Sequence, residues 1–340
     1  MASDSRPVCS VCVANYNGLG VIGECLDSVF SQDCDFPIEV IVHDDASNDG
    51  SAEYVRQNFP QVRLIASAEN VGFCTSNNRM VSQAAGQYIL LLNNDASLFP
   101  DALRYLYDHA REMAADAILG LPQYDARSGD LVDRGSLSDP FLNPLPNLEA
   151  RRRDVAMVSG ACLWIPRRLW DELGGFPPWF GSLAEDMHLA CVARLRGYRV
   201  QVLPHSGFRH YFGTSLGGGG VQDNRLSTTL RRRTLSERNK SFVMVLCFPS
   251  PVLQVLLPLH MLLLLLEGGI LSLLTRNFRL LREVYFSAFS ALWRERELLL
   301  EQRKAIQRAR TINSRQFFAP FVWVPHKLRL LMRYGVPRIG

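Results

Sequence analysis

The first ninety residues alternate between short apolar runs and amphipathic stretches. Residues 8–14, 38–43, 62–66 and 88–92 read as strands, and 21–31, 52–59 and 75–85 between them as helices. The centre of 38–43, Val40-Ile41-Val42, and the core of 88–92 are apolar without a polar alternate, as in strands buried on both faces. Strands of this kind alternating with helices predict a mostly parallel sheet covered on both sides, with ligands beyond the carboxyl ends of the strands. Residues 125–153, rich in Pro, Asp, Asn and Arg, read as irregular loop. The apolar run 155–166, a helix over 183–195 and a strand over 199–203 follow, and 217–220 is a flexible glycine loop.

The pattern changes after Phe242. Residues 252–274 carry a single acidic group, Glu267, and are long enough to cross a bilayer. Pro258, His260, Glu267 and the pair Gly268-Gly269 argue for a broken or interfacial helix pair instead. Phe278, Leu281, Tyr285, Phe289 and Leu292 then recur at helical spacing, and 294–315 is a densely charged helix-like run.

Composition sharpens this division. Hydrophobic residues are 47% and charged residues 21% of the chain, which excludes a disordered protein. The formal charge of +4 conceals a tail, 276–340, of net +10 on a body of net −6. A basic tail implies an anionic partner, and its interleaved Leu, Phe and Trp suit a membrane surface better than nucleic acid. The N-terminal Met-Ala-Ser-Asp-Ser-Arg-Pro has no apolar signal region, so a cytoplasmic location is expected. Cys9 and Cys12 form a CxxC without a second ligand pair, and the eight cysteines read as reduced, mostly buried thiols.

Four constellations carry chemistry. Gly18-Leu-Gly20-Val-Ile-Gly23, with Asp44 and Asp45 downstream, matches a dinucleotide-binding fingerprint. Ala14-Asn15-Tyr16-Asn17, however, separates the strand from the first glycine, which disfavours a dehydrogenase. Asp44 and Asp45 end the second strand, where they suit a base imide and a ribose hydroxyl; the same segment could be an Asx turn with Ser51 or Asp49 as a helix N-cap. Asn93-Asn94-Asp95 ends the fourth strand, where a carboxylate suits a hard cation or a plain turn. Glu185 and Asp186 open a helix, either complementing its dipole or presenting a general base in ionised form. His205 and His210 flank a strand end.

In order along the chain, these segments resemble a family 2 glycosyltransferase of the GT-A fold. The resemblance rests on Val13–Asn17, Asp44-Asp45-x-Ser47-x-Asp49-Gly50-Ser51, Asn70-Val71-Gly72-Phe73 with Asn77, and Leu90-Leu91-Leu92-Asn93-Asn94-Asp95. It continues through Ser159-Gly160-Ala161-Cys162, Gly174-Gly175-Phe176, Glu185-Asp186, Arg194-x-x-Gly197-Tyr198 and His210, covering about residues 8–215. The glycine-to-acid layout, Glu237-Arg238-Asn239-Lys240 and the Arg-rich 303–310 segment are similar to a rhamnosyltransferase-like bacterial subgroup.

The resemblance implies a GT-A domain over 1–240 and a helical, membrane-associating region over 241–340. It implies inverting transfer of a sugar from a nucleotide-diphosphate donor to a glycan or polyprenyl-linked hydroxyl, aided by Mg or Mn. Asp186 would be the base, with Glu185 beside it. Ala14, Asn15, Tyr16, Asp44, Asp45, Asn70, Asn77 and Asn94 would bind the donor, and Asp95, Asn93 and His210 the metal. Asn93 stands where the family often has an acid, so the donor phosphates must supply more of the coordination. Peripheral attachment to the inner face of the cell membrane and a homodimer are further expectations. A non-catalytic sugar-nucleotide-binding scaffold would need none of Asp45, Asp95 and Asp186 together.

Overall fold

The computed structural model describes residues 6–211, 219–222, 225–335 and 338–339. Part of the glycine loop read at 217–220, and residues 212–215 of the resemblance, lie outside them. The chain divides into two compact units. The first holds residues up to 136, 146–193 and 198–211; the second holds 137–145, 194–197 and the chain from 212 onward.

In chain order the elements are β1 (Cys9–Asn15), α1 (Ile22–Phe30), β2 (Ile38–Asp44), α2 (Ser51–Asn58), β3 (Arg63–Ala66), α3 (Phe73–Gln83) and β4 (Tyr88–Asn93). Then come β5 (Ala96–Leu98), α4 (Ala102–Glu112), β6 (Ala117–Gly120), β7 (Gln123–Asp125), β8 (Leu131–Asp133), β9 (Leu137–Ser138) and β10 (Pro144–Leu145). β11 (Cys162–Pro166), α5 (Arg167–Leu173), α6 (Glu185–Leu195), β12 (Arg199–Val202) and β13 (Phe208–His210) follow.

The first unit is built on a seven-stranded sheet in the order β12-β6-β11-β4-β1-β2-β3. β1, β2, β3 and β4 are mutually parallel, and β12 is parallel to β6. β11 runs antiparallel to both of its neighbours, β4 and β6. Its apolar sequence Cys-Leu-Trp-Ile-Pro is as buried as the parallel strands, so composition could not reveal its direction. Trp164 on β11 is fully buried and stacks on Tyr88 of β4 at 5.0 Å. Each such side chain removed from water contributes roughly 1.5–3 kcal/mol. A second sheet, β5-β13-β7-β8, carries His210 at one strand end.

The segment 125–153 is not the irregular loop its composition suggested. It contains β8, β9 and β10, and its Asp and Asn side chains make internal bonds. Asp133 accepts from the Asn147 amide at 2.8 Å and the Ser136 hydroxyl at 2.6 Å. Burial pushes its pKa up to about 6 against those bonds. The eight cysteines are free thiols, all buried except the half-buried Cys34. Burial raises the Cys9, Cys12 and Cys25 thiols and pushes Cys162 up to about 12, so they stay protonated and inert.

The second unit is mostly helical: α7 (Leu230–Cys247), α8 (Val252–Thr275), a π-helical turn (Leu281–Phe286), α9 (Ser287–Arg294), α10 (Arg296–Arg308), α11 (Ser314–Phe317) and α12 (His326–Tyr334), with β9 and β10 paired and a small sheet of Gly219–Gln222, Arg225–Thr228 and Arg338–Ile339. The expected boundary at 240 runs through α7. The broken helix pair expected over 252–274 is instead one continuous helix, α8. Three of the supposed breakers have local partners. His260 bonds Ser241 at 3.0 Å, and Glu267 pairs with Arg233 and, at 2.7 Å, with Lys327. Gly268 is a packing notch: a Cβ there would lie 2.5 Å from the Tyr285 ring. Phe278, read as the first residue of the next apolar face, is exposed, whereas Tyr285 is fully buried.

Candidate active site

The carboxyl ends of β1, β2 and β4 meet in register, with Asn15 opposite Asp44 and Ala14 opposite Asn93. Asn15 is the hub. Its Nδ2 donates to Asp44 Oδ2 at 2.8 Å and Ser51 Oγ at 2.9 Å, and its Oδ1 accepts from Asn94 Nδ2 at 2.8 Å. Asp44 also accepts the Ser47 amide at 3.0 Å. Asp45 receives the Val71 and Gly72 amides at 2.7 and 2.9 Å, one on each carboxylate oxygen. A carboxylate has about four acceptor sites, so capacity for a ligand donor remains.

The glycine fingerprint has a different use here. A Cβ on Gly18 would lie 2.1 Å from Asn94 Nδ2 and 2.3 Å from Asn15 Oδ1. Gly18 therefore makes room for the amide pair rather than for a pyrophosphate. The neighbouring loop is stitched to the β2 loop by Asn17 N to Ser47 Oγ, Leu19 N to Asp49 Oδ2 and Asn48 N to Asn17 Oδ1, each at 2.9 Å. The N-cap of α2 is Gly50, at φ 87°, rather than Ser51 or Asp49. Asp49 instead accepts the Ser51 amide and hydroxyl. Tyr16 projects from the end of β1, 53% exposed. Asn70 is exposed and donates to the Asp45 carbonyl at 3.3 Å. Asn77 does not join the group: it is buried in α3 and donates to the Phe73 carbonyl of its own helix at 2.9 Å.

Asp95 is buried and lies 3.0 Å from His210 Nε2, while His210 Nδ1 lies 2.8 Å from Gln123 Nε2. With the Gln123 amide nitrogen facing Nδ1, the neutral ring carries its proton on Nε2, toward Asp95; with that amide turned end for end, its oxygen takes Nδ1–H and the Nε2 lone pair is left for a cation. Gln123, on the short strand β7, was not singled out from sequence, and nothing in its surroundings there marks it. Asn93 Oδ1 is buried without a hydrogen-bond partner. The set fits a hard divalent cation through one carboxylate, one imidazole and one orphaned amide oxygen. Among the described residues no three His, Cys, Asp or Glu side chains form a cation site, so an amide or an incoming ligand must complete this one.

Asp186 opens α6 and receives the Gly160 amide on Oδ2 at 3.0 Å and the Met187 amide on Oδ1 at 2.7 Å. The helix start was expected to favour the ionised carboxylate. Burial instead outweighs these amides and raises the Asp186 pKa. A raised pKa makes the carboxylate a stronger proton acceptor once it is ionised. Leu183 and Ala184, immediately before α6, hold left-handed backbones at φ 72° and 66°, and Ala46 beside Asp45 does so at 62°. Such conformations cost about 1–3 kcal/mol each and cluster where geometry is imposed on a functional group. Glu185 is buried, 6% exposed. His188, unnoticed in sequence, is buried with both ring nitrogens unpartnered, its edge on Phe180 at 5.6 Å. Burial depresses its pKa to about 4, so the ring is neutral.

Residues 10–174 match the profile of glycosyl transferase family 2. The N-acetylglucosaminyl-diphospho-decaprenol L-rhamnosyltransferase of Mycobacterium tuberculosis is 26% identical over 211 residues, spanning 53% of this chain and 69% of that protein. S. aureus TarS, solved with UDP-GlcNAc, has a similar fold at TM-score 0.56 and 16% identity, over 92% of this chain and 90% of that one. A mannosyltransferase from Pyrobaculum calidifontis, solved with GDP-Man and Mn2+, reaches TM-score 0.51 at 19% identity, over 98% and 87% of the two chains.

Proposed function

Because the chain belongs, through residues 10–174, to glycosyl transferase family 2, we propose that it moves a sugar from a nucleotide-diphosphate donor to an acceptor hydroxyl with inversion at the sugar carbon. The observation that carries this reading is the Asp95–His210 pair beside the unpartnered Asn93 Oδ1. Asn93 ends β4, the strand that adjoins β1, and Asp95 follows two residues on, which supports reading carboxylate, imidazole and amide oxygen as one ligand set.

The loops after β1 and β2 would bind the nucleoside, with Asp45 accepting from the base and Tyr16 exposed beside it. Asp95, His210 and Asn93 would hold Mg or Mn, which supplies charge neutralisation for the diphosphate. Asp186 would take the acceptor proton as its oxygen attacks the sugar carbon. One displacement needs one base and no enzyme nucleophile. The relative that acts on a diphospho-decaprenol supports a lipid-linked acceptor here.

We further read the second unit as the membrane-facing part, attached at the cytoplasmic surface. On α8, Val255, Leu259, Leu262, Leu266, Ile270 and Leu273 are exposed at steps of three and four residues, forming one apolar stripe. Leu256, His260, Leu264, Gly268 and Leu271 form the buried opposite face. A helix with one face packed on protein and the other bare suits lying in an interface. Exposed Arg276, Arg279 and Arg282 follow it and suit anionic headgroups.

The test is transfer from a panel of nucleotide sugars, with and without chelator. Activity should vanish in EDTA, return with Mg²⁺ or Mn²⁺, and be lost in Asp95→Ala. Full turnover in EDTA together with an active Asp95→Ala enzyme would exclude the metal-assisted reading.

A further inference from the structure

Arg303, Gln307 and Arg310 follow one another at steps of four and three residues along and just beyond α10, which is the spacing of a shared face. Arg303 Nη1 donates to the carbonyls of Val245 at 2.6 Å and Phe248 at 2.8 Å, and its Nη2 donates to Ser250 Oγ at 3.1 Å. Gln307 Nε2 donates to the carbonyls of Leu246 and Cys247, both at 3.1 Å. These are carbonyls at the end of α7, which an α-helix leaves without partners of its own. The two side chains are thereby fixed in place.

They contribute to a cleft of about 390 Å³ lined by Ser250, Leu300, Arg303, Lys304, Gln307 and Arg310. Three of its six residues are cations and none is acidic. Lys304 and Arg310 are exposed, and among the described residues their side chains make no hydrogen bond or ion pair. Burial lowers the Arg303 pKa, and the neighbouring Arg310 charge lowers it further. Like charges are thus held together around a space that no carboxylate lines among the described residues. That is the arrangement of an anion site, with two mobile donors over a rigid floor.

We propose that this cleft binds the phosphate of an anionic phospholipid headgroup, a refinement that rests on the membrane reading of the second unit. Lys304 Nζ and the Arg310 guanidinium would donate to the phosphate oxygens. Two observations favour a lipid over free phosphate. Leu300 is a cleft residue that leaves an apolar side chain 53% exposed. Ser250 lies two residues ahead of α8, the helix with the bare apolar stripe.

The test titrates the full chain with dihexanoyl-phosphatidylglycerol kept monomeric, so that no membrane surface is present, alongside flotation with phosphatidylcholine vesicles with and without phosphatidylglycerol. Saturable 1:1 binding of the monomeric lipid is expected. It should weaken roughly tenfold or more in Lys304→Gln/Arg310→Gln and stay within about twofold in the charge-matched control Arg151→Gln/Arg153→Gln, two exposed arginines of the first unit. Equal weakening in both variants would reduce the effect to net charge and overturn the site. Inorganic phosphate competing as well as the lipid does would overturn the lipid assignment. Failure of the full chain to float with either vesicle, with monomer binding intact, would sink the membrane reading while the cleft stands.

Discussion

The two units treat charge in opposite ways. In the first, Asp44, Asp45 and Asp186 are held largely by backbone amides and neutral side chains, and among the described residues no cation is paired to any of them. In the second, charge is paired with charge. Glu237 lies 3.0 Å from Lys240 and 2.7 Å from Lys327, Lys327 reaches Glu267, and Glu267 pairs with Arg233. Burial opposes ionisation of Glu237, yet Lys240, Lys327 and Arg233 together hold it well below the usual carboxylate range. A carboxylate fixed by amides keeps its negative charge for a ligand, whereas one fixed by lysines has already used it. The first arrangement suits a site and the second a strut.

The sharpest way to break this contrast is Asp186→Asn, which keeps the shape and removes the proton acceptor. Transfer should fall by about 10²–10⁴ while nucleotide-sugar affinity, read by titration, stays near the parent value. Normal transfer would reduce the start of α6 to a capped terminus. Next in size is Glu237→Gln. It leaves the buried Lys240 without its ionic partner and should destabilise the second unit by about 3–5 kcal/mol in chemical denaturation. A loss below about 1 kcal/mol would mean that the network is dispensable.

Third is the pH dependence set by His188. Its folded pKa of about 4 lies below the ordinary 6.5, so the unfolded chain takes up the proton first. The stability present above about pH 6.5 is therefore lost as pH falls toward 4, on the order of 3 kcal/mol in all. Asp133, raised to about 6, titrates over part of that window with the opposite sign. The measure is accordingly the difference in slope between parent and His188→Gln, which should be flatter. The smallest effect is that of Gly18→Ala, roughly 1–3 kcal/mol of overpacking against Asn15 and Asn94, with weaker donor binding. Unchanged donor binding would separate the asparagine pair from the nucleotide.

Much of the first unit was legible because its strands are uninterrupted apolar runs that end in Asn and Asp. The pattern located Asn15, Asp44 and Asn93 at strand ends within a residue. It could not reveal that β11 is antiparallel, since a strand buried on both faces looks alike in either direction. Nor could it assign roles within the site. Asn77 is as polar as Asn15 but spends its donor on its own helix, and Asp186 responds to burial more strongly than to the helix start. The second unit was misread where local rules met tertiary partners. Gly268 looks like a break until Tyr285 fills the notch, and His260 and Glu267 look out of place until Ser241, Arg233 and Lys327 meet them. The resemblance singled out segments at the strand ends, but hydrogen-bond partners such as Gln123 depend on a fold that adjacency does not report.

The left-handed pair Leu183-Ala184 bears on any attempt to make this protein more heat-resistant. Glycine carries no Cβ penalty at a positive φ, so a screen for thermal stability should favour it at 183 and 184. The same exchange would loosen the hinge that aims Asp186, since the freed backbone has more conformations to visit. Gains in melting temperature obtained there would come with slower turnover, which makes these two positions the ones to hold constant during stabilisation.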